Sequence, residues 1–275
     1  MSFFTSLSGL RNAQTDLGVI SQNIANAESV GFKKSSASFF DLVASGAGTD
    51  PRLTPGIGSA LAGITQDFSL GTLETTGRGL DLAISGNGFI ATSNPVSGDI
   101  SFTRNGSLAL VSSGALQDSI GDNVQGFAVT AVDADNNVTG TSGAISDINV
   151  PTTNAGGAAI SSVSVDNRGI VSATYADGSV ERVFQLALAT FPANDGLRPI
   201  GQTKWEVTGD SGNPAYGAPG QGQFGAIFSG ALERSNVDLA EETVSLLTAQ
   251  RNFQANARAI DTATQISQTV LNLRS

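Results

Sequence analysis

The sequence predicts an α+β fold in which paired long N- and C-terminal helices, coiled-coil-like, carry a β-rich middle domain. Three observations predict it. Apolar residues recur every seven positions in both terminal stretches, the spacing of a helical seam. The middle is a string of short apolar runs separated by Gly, Asn and Asp, the pattern of strands and turns. Charged residues are only 14% of 275, and there are 33 glycines, against about 25% charge in typical domains. That composition suits turn-rich β structure, or surfaces buried against other subunits.

The N-terminal helix is read over Ser2 to Asn26. Phe3, Leu10, Leu17 and Ile24 fall seven apart, with Leu7, Ala13 and Ile20 beside them. Gly9 and Gly18 weaken it by about 1 kcal/mol each. Its polar face is Ser, Thr, Asn and Gln, with Arg11 and Asp16 nearly its only charges. A solvent-facing helix usually carries more, so a helix surrounded by other copies is expected. Gly31 is read as the residue just past the helix, where a left-handed conformation is common.

Residues 45–62 hold Gly, Ser, Thr, Pro51 and Pro55 and read as a connector. Leu80, Leu82 and Ile84 alternate as in a strand, and Gly86-Asn87-Gly88 reads as a hairpin turn. Further short strands run from Val124 to Val207, and Trp205 is read as a core anchor. The C-terminal helix runs from Val237 to Ser275. Asp238 is its N-cap and Glu241 completes a capping-box pattern. Its stripe is Leu239, Leu246, Phe253 and Ile260, with Ala249, Ala257, Ala263 and Val270 between them. At 1.5 Å per residue this helix would be roughly 55 Å long. The stripe needs a partner, and the N-terminal stretch is the other of its kind. The expected domains are residues 1–33 and 236–275 as paired terminal axial helices, 34–70 as an extended connector, and 71–235 as a β-rich outer domain.

Composition excludes several functions. Net charge is −10, which argues against nucleic acid, whose phosphates need a basic patch. There is no cysteine and no histidine, which removes disulfides, thiol chemistry and the commonest catalytic base and metal ligand. The glycines near Gly86 are followed by no Gly-Lys-Ser/Thr and no helix pattern, so no nucleotide site is expected. Asp133, Asp135 and Asn137 imitate the start of a calcium loop, but Val138 and Ala144 stand where Gly and Glu are needed. No catalytic, metal or cofactor site is assigned, and no cofactor is expected. The N-terminus lacks a basic segment followed by an unbroken apolar run, so an ordinary signal peptide is not expected.

Several motifs resemble those of the bacterial flagellar rod and hook (axial) protein family. Ala25-Asn26-Ala-Glu-Ser-Val-Gly31-Phe32-Lys33 is similar to the family's ANxxTxGFK run. Leu80-Asp81-Leu-Ala-Ile-Ser-Gly86-Asn-Gly88-Phe89-Ile is similar to its LDxAIxGxGFF signature, and Phe102-Thr-Arg-Asn-Gly-Ser-Leu108 to its YTRxGxF block. Gly230-Ala-Leu-Glu-Arg-Ser235-Asn236-Val237 resembles GxLExSNV, and Gln250-Arg251-Asn-Phe253 resembles QRxY with Phe for Tyr. Thr65-Gln-Asp-Phe68 and Thr76-Gly-Arg-Gly-Leu-Asp81 look most like the hook protein, although the length is closer to a rod protein. Phe39 and Val43 have the spacing of an export-gate signal proposed for such substrates.

The resemblance implies a structural subunit of the flagellar hook, a homopolymer forming a curved tube that transmits motor torque to the filament. A distal rod subunit is the alternative, and a β-rich surface adhesin a remote one that leaves the helical ends unexplained. The implied partners are other copies, distal rod and hook–filament junction proteins, the hook cap and the type III export apparatus. The implied location is extracellular, in the flagellum, reached without a cleaved signal peptide. The expected assembly residues are Phe3, Leu10, Leu17, Ile20, Ile24, Leu239, Leu246, Phe253 and Ile260.

Overall fold

The computed structural model describes residues 2–43, 56–132 and 138–272. It divides into two compact units. One comprises the described residues of Met1–Ala27, Lys33–Asp67 and Val237–Ser275; the other comprises Glu28–Phe32 and Phe68–Asn236.

The first unit holds helix α1 (Ser2–Ala25), strands β1 (Ser35–Val43) and β2 (Gly56–Gln66), and helix α2 (Leu239–Asn272). β1 and β2 pair antiparallel, from Ser35 opposite Gln66 to Val43 opposite Gly56, with register shifts at Ser38/Phe39 and Leu42/Val43. Residues 56–62 are thus strand, although their composition suggests a connector. Local signals set the helix ends. Asp238 caps α2 as expected: its Oδ1 accepts the Ala240 and Glu241 N–H groups at 2.8 and 3.2 Å. α1 ends at Ala25, and Gly31 is not its terminal residue. Gly31 has φ +69° for a different reason, described below.

The expected α+β fold on long, paired, coiled-coil-like helices is overturned. Among the described residues there are nineteen strands and only two α-helices, of 24 and 34 residues, one early and one late in the sequence. The chain is a β-rich protein with two flanking helices. The seven-residue spacing fails as a coiled coil because its positions are not buried as one. A coiled coil buries apolar knobs at both seam positions through successive heptads. The buried side chains of α2 are Glu242 and Ala249, one charged and one small, while Leu239 of the predicted stripe is 47% exposed. On α1 the buried residues are Ala13, Val19, Ile20 and Asn23. The hairpin shares in covering them: Asn12 Nδ2 donates to Ser59 Oγ at 2.8 Å, and Asn23 is tied to Ser35. α2 packs against α1 at Gly9, where a Cβ would stand 2.6 Å from Asn256 Oδ1.

The second unit is built on a thirteen-stranded sheet with two small two-stranded sheets beside it. Strand Phe89–Ser93 is central. It pairs with Ile100–Thr103, Leu188–Thr190 and Asn123–Val132, and all five of its residues are buried. Because side chains alternate along a strand, it serves two cores. Ile90 joins Leu82, Ile84, Leu108, Val124 and Leu186 in an aliphatic cluster. Phe89 and Ala91 join Phe102, Leu197 and Trp205 in an aromatic one. Rings there meet edge to face: Phe89 and Trp205 at 5.5 Å and 63°, Phe102 and Phe191 at 4.9 Å and 88°. Trp205 is the core anchor that a lone tryptophan predicts.

The expected Gly86–Gly88 hairpin is also corrected. Strand Leu82–Ser85 pairs with Ala226–Ser229, while Phe89–Ser93 pairs elsewhere. The Gly-Asn-Gly turn therefore passes the chain from one sheet to another. Gly86 at φ +105° and Gly88 at φ +137° supply conformations that other residues resist. Gly225 covers the turn, donating its N–H to the Asn87 carbonyl at 2.7 Å.

Candidate assembly surface and the junction beneath the motifs

The predicted assembly residues all lie in the first unit. Ile20 is buried; Leu10, Leu17, Ile24, Leu246, Phe253 and Ile260 are half-buried; Phe3 and Leu239 are exposed. The larger exposed apolar side chains are others: Phe4 on α1, Phe40, Val43 and Ile64 on the hairpin, Val244, Leu247 and Ile266 on α2. Those on α2 fall off the predicted stripe, which is why spacing alone did not single them out. A soluble monomer rarely leaves so much apolar surface on one small unit uncovered. A two-stranded sheet is itself marginal without a partner to pack on.

Polar contacts hold this unit together at one end. Asn23 Nδ2 donates to the Ser35 carbonyl at 2.8 Å, and Asn23 Oδ1 accepts the Ser35 N–H at 2.9 Å. The same amide reaches Glu242 Oε2 at 3.2 Å. Glu242, buried, pairs with Lys34 Nζ at 2.8 Å, and Glu241 stands 3.4 Å from the same nitrogen. One network thus joins the end of α1, the start of β1 and the first turn of α2. The hydrogen bond and charge of Glu242 hold the Lys34 ammonium above its ordinary pKa, against partial burial that lowers it. Beside this network a cleft of about 350 Å³ opens, lined by Asp16, Ile20, Lys34, Glu242 and Val244 among others. A second, of about 310 Å³, runs on from Asp16 past Asn12 and Gly9 to Asn252 and Asn256.

The motif residues are mostly buried in the second unit, and they converge. Arg104 and Glu233, 2% and 0% exposed, form an ion pair at 3.4 Å. Arg104 Nη2 also donates to the Gly86 carbonyl at 2.9 Å, and its guanidinium lies 5.2 Å from the centre of the Phe89 ring. Burial lowers the Arg104 pKa, and the Glu233 charge opposes that. Glu233 Oε1 accepts the Gly71 N–H at 3.0 Å, and the Glu233 carbonyl accepts the Gly31 N–H at 2.8 Å. Arg234 Nη1 donates to the Glu28 carbonyl at 3.0 Å. Gly31 passes so close to the Arg104–Asn105 backbone that a Cβ would stand 2.7 Å from Asn105 N. Segments far apart in sequence (28–31, 86–89, 104–106 and 230–234) therefore meet at one buried pair.

Of the remaining motif residues, Asp81 is buried and Leu80 half-buried, and the Asp81 carbonyl accepts the Gly230 N–H at 2.8 Å. Ser235 is buried and Asn236 donates to Ser69 Oγ at 3.0 Å. In the first unit Lys33 is buried, Asn26 donates to the Gln22 carbonyl at 2.9 Å, and Gln250 and Arg251 are exposed. Phe32 and Val237 are half-buried. Arg104 and Glu233 were not singled out from the sequence. The available signal was a charge inside each of two motif blocks in a chain that carries few charges. Most of these motif residues are packed inside the units, while Gln250 and Arg251 stay exposed. Among the described residues no His/Cys/Asp/Glu group fits a metal ion. The Asp133–Asn137 stretch that resembles a calcium loop lies outside the described residues. No described helix is long and apolar enough to cross a membrane.

Comparisons with known proteins agree along the whole chain. The family described as "Flagella basal body rod protein" matches residues 4–33. "Flagellar hook protein FlgE/F/G D1 domain" matches residues 83–173, and "Flagellar basal body rod FlgEFG protein C-terminal" matches residues 229–273. The chain is 36% identical over 286 residues to the flagellar basal-body rod protein FlgG of Bacillus subtilis, covering 99% of this chain and 98% of that one. It is 30% identical over 413 residues to the flagellar hook protein FlgE of Salmonella typhimurium, covering 100% of each. It is 31% identical to FlgG of Caulobacter vibrioides, covering 98% of each.

Proposed function

Since the chain belongs to the family of flagellar basal-body rod and hook proteins, we propose that it polymerises with copies of itself into the curved tube of the hook. It is a structural component of the bacterial flagellum and not an enzyme. The observation that carries the hook reading is the stretch Thr76–Asp81, whose hook-like residues are built into the second unit. The Gly230 carbonyl accepts the Thr76 and Gly77 N–H groups at 2.8 and 3.1 Å, and the Gly230 N–H donates back to Asp81. The residues that resemble the hook protein thereby hold Gly230, where the motif leading toward α2 begins. The exposed apolar side chains of the first unit support polymerisation, because neighbouring copies would cover them. The partners, on this reading, are other copies along the tube, distal rod proteins below, and junction and cap proteins above. Export would pass through the type III apparatus to the extracellular flagellum.

One observation favours the distal rod instead: the chain aligns over nearly the full length of a rod protein with few gaps, 286 aligned positions against 275 residues. Deleting the gene and imaging basal bodies separates the two. Complete rods that end without a hook are expected. Truncated rods would assign the chain to the distal rod.

The predicted stripe residues Leu246 and Phe253 are proposed as part of the assembly surface. Leu246→Asp is expected to abolish polymerisation, since a carboxylate buried there costs several kcal/mol. The second unit, in which Leu246 takes no part, should unfold at its usual temperature. Polymers of normal length from this variant, seen by electron microscopy, would remove Leu246 from the surface.

A further inference from the structure

We propose that the Asp16 cleft of one copy receives the exposed arginine pair Arg251 and Arg258 of a second copy. This rests on the polymer reading above and adds the contact that would set register. The cleft holds two carboxylates, Asp16 and Glu242, against one ammonium, Lys34, and Lys34 is committed to Glu242 at 2.8 Å. Asp16 makes no ion pair among the described residues, and it lines both clefts along α1. The carboxyl is correspondingly raised above its ordinary pKa, first by burial and then by the Glu242 charge. The walls are apolar and amide side chains, from Ile20 and Val244 at one end to Asn252 and Asn256 at the other. Such a site suits a guanidinium, which is weakly hydrated and pairs with a carboxylate through two donors.

The same helix supplies the complement. Arg251 and Arg258 are exposed, seven residues apart and so on one face, and neither makes an ion pair among the described residues. Arg251 follows Glu242 by nine residues, and Arg258 follows Ala249 by nine. Nine residues is two and a half turns, so each arginine stands on the side of α2 opposite a buried position. A second copy can present its arginines to this cleft. Head-to-tail use of two different patches is the geometry that builds open helical assemblies.

The test is polymerisation of the full chain followed by sedimentation and electron microscopy. Asp16→Arg alone and the double variant Arg251→Asp, Arg258→Asp alone are each expected to stay unpolymerised. An equal mixture should form polymer, because each variant's cleft then meets the opposite charge. Asp16→Asn should raise the critical concentration roughly tenfold without loss of helix content by circular dichroism, which excludes misfolding as the cause. If the unaltered chain polymerises and Asp16→Arg does so equally well, the pairing is wrong and the polymer reading stands. A mixture that stays soluble overturns the pairing too. Failure of the unaltered chain to polymerise at any concentration removes both.

Discussion

Arg104→Met is expected to destabilise the second unit by about 3–5 kcal/mol, because it removes the guanidinium from a buried ion pair with Glu233. Glu233 is fully buried, and it also holds the Gly71 N–H at Oε1 and the Gly31 N–H at its carbonyl. The guanidinium also fills space against the Phe89 ring and caps the Gly86 carbonyl. A lost pair therefore opens a cavity and strands an acceptor together. The double variant Arg104→Met, Glu233→Gln should recover much of the loss. It removes the carboxylate's charge yet keeps an oxygen for the Gly71 N–H. For a unit of this size each kcal/mol moves the melting temperature by roughly 2–4 °C, so the single variant should melt about 10 °C lower. Denaturant titration of both variants checks this. A single variant within 1 kcal/mol of the unaltered chain, or a double variant as damaged as the single, would show that the pair is not what closes the junction.

Gly106→Ala is the second large effect, at about 3 kcal/mol or more. A Cβ there would stand 1.8 Å from the Leu82 carbonyl oxygen and 2.7 Å from its carbon. Neither atom can yield easily, because Leu82 N–H donates to the Gly106 carbonyl at 2.9 Å and Leu82 itself is in the aliphatic core. Overpacking against backbone must shift a strand. Gly98→Ala provides the comparison. Gly98 has φ +77° with open space around it, so its cost is confined to the left-handed conformation, about 1 kcal/mol. Thermal unfolding of the two variants should therefore differ severalfold in effect. Equal shifts would mean that the turn conformation, and not close backbone approach, is what glycine provides at position 106.

Much of this protein is legible before any coordinates. Asp238 announces the start of α2, because an N-cap depends only on residues within one turn. Trp205 announces a core, and alternating Leu80, Leu82 and Ile84 announce the strand Leu82–Ser85, because both follow from local apolar pattern. The motifs identify the flagellar family, and three of their glycines stand where a Cβ would crowd its neighbours: Gly31, Gly86 and Gly106 each have backbone or a covering glycine within 3.2 Å of where a Cβ would go.

The tertiary structure decided what depends on residues distant in sequence. The seven-residue stripes suggested a coiled coil, yet only packing shows that α1 shares its buried face with a β hairpin and that α2 buries little beyond Glu242 and Ala249. Periodicity reports which residues could share a face, not which faces are covered. The Gly86–Gly88 turn was legible as a turn, but the partners of its flanking strands were set by Ala226–Ser229 and Ile100–Thr103, since strand pairing is a long-range contact. Arg104 and Glu233 are 129 residues apart, and nothing in either neighbourhood names the other. A buried charge is tolerated only when the fold delivers its counter-charge, and the fold alone specifies that delivery.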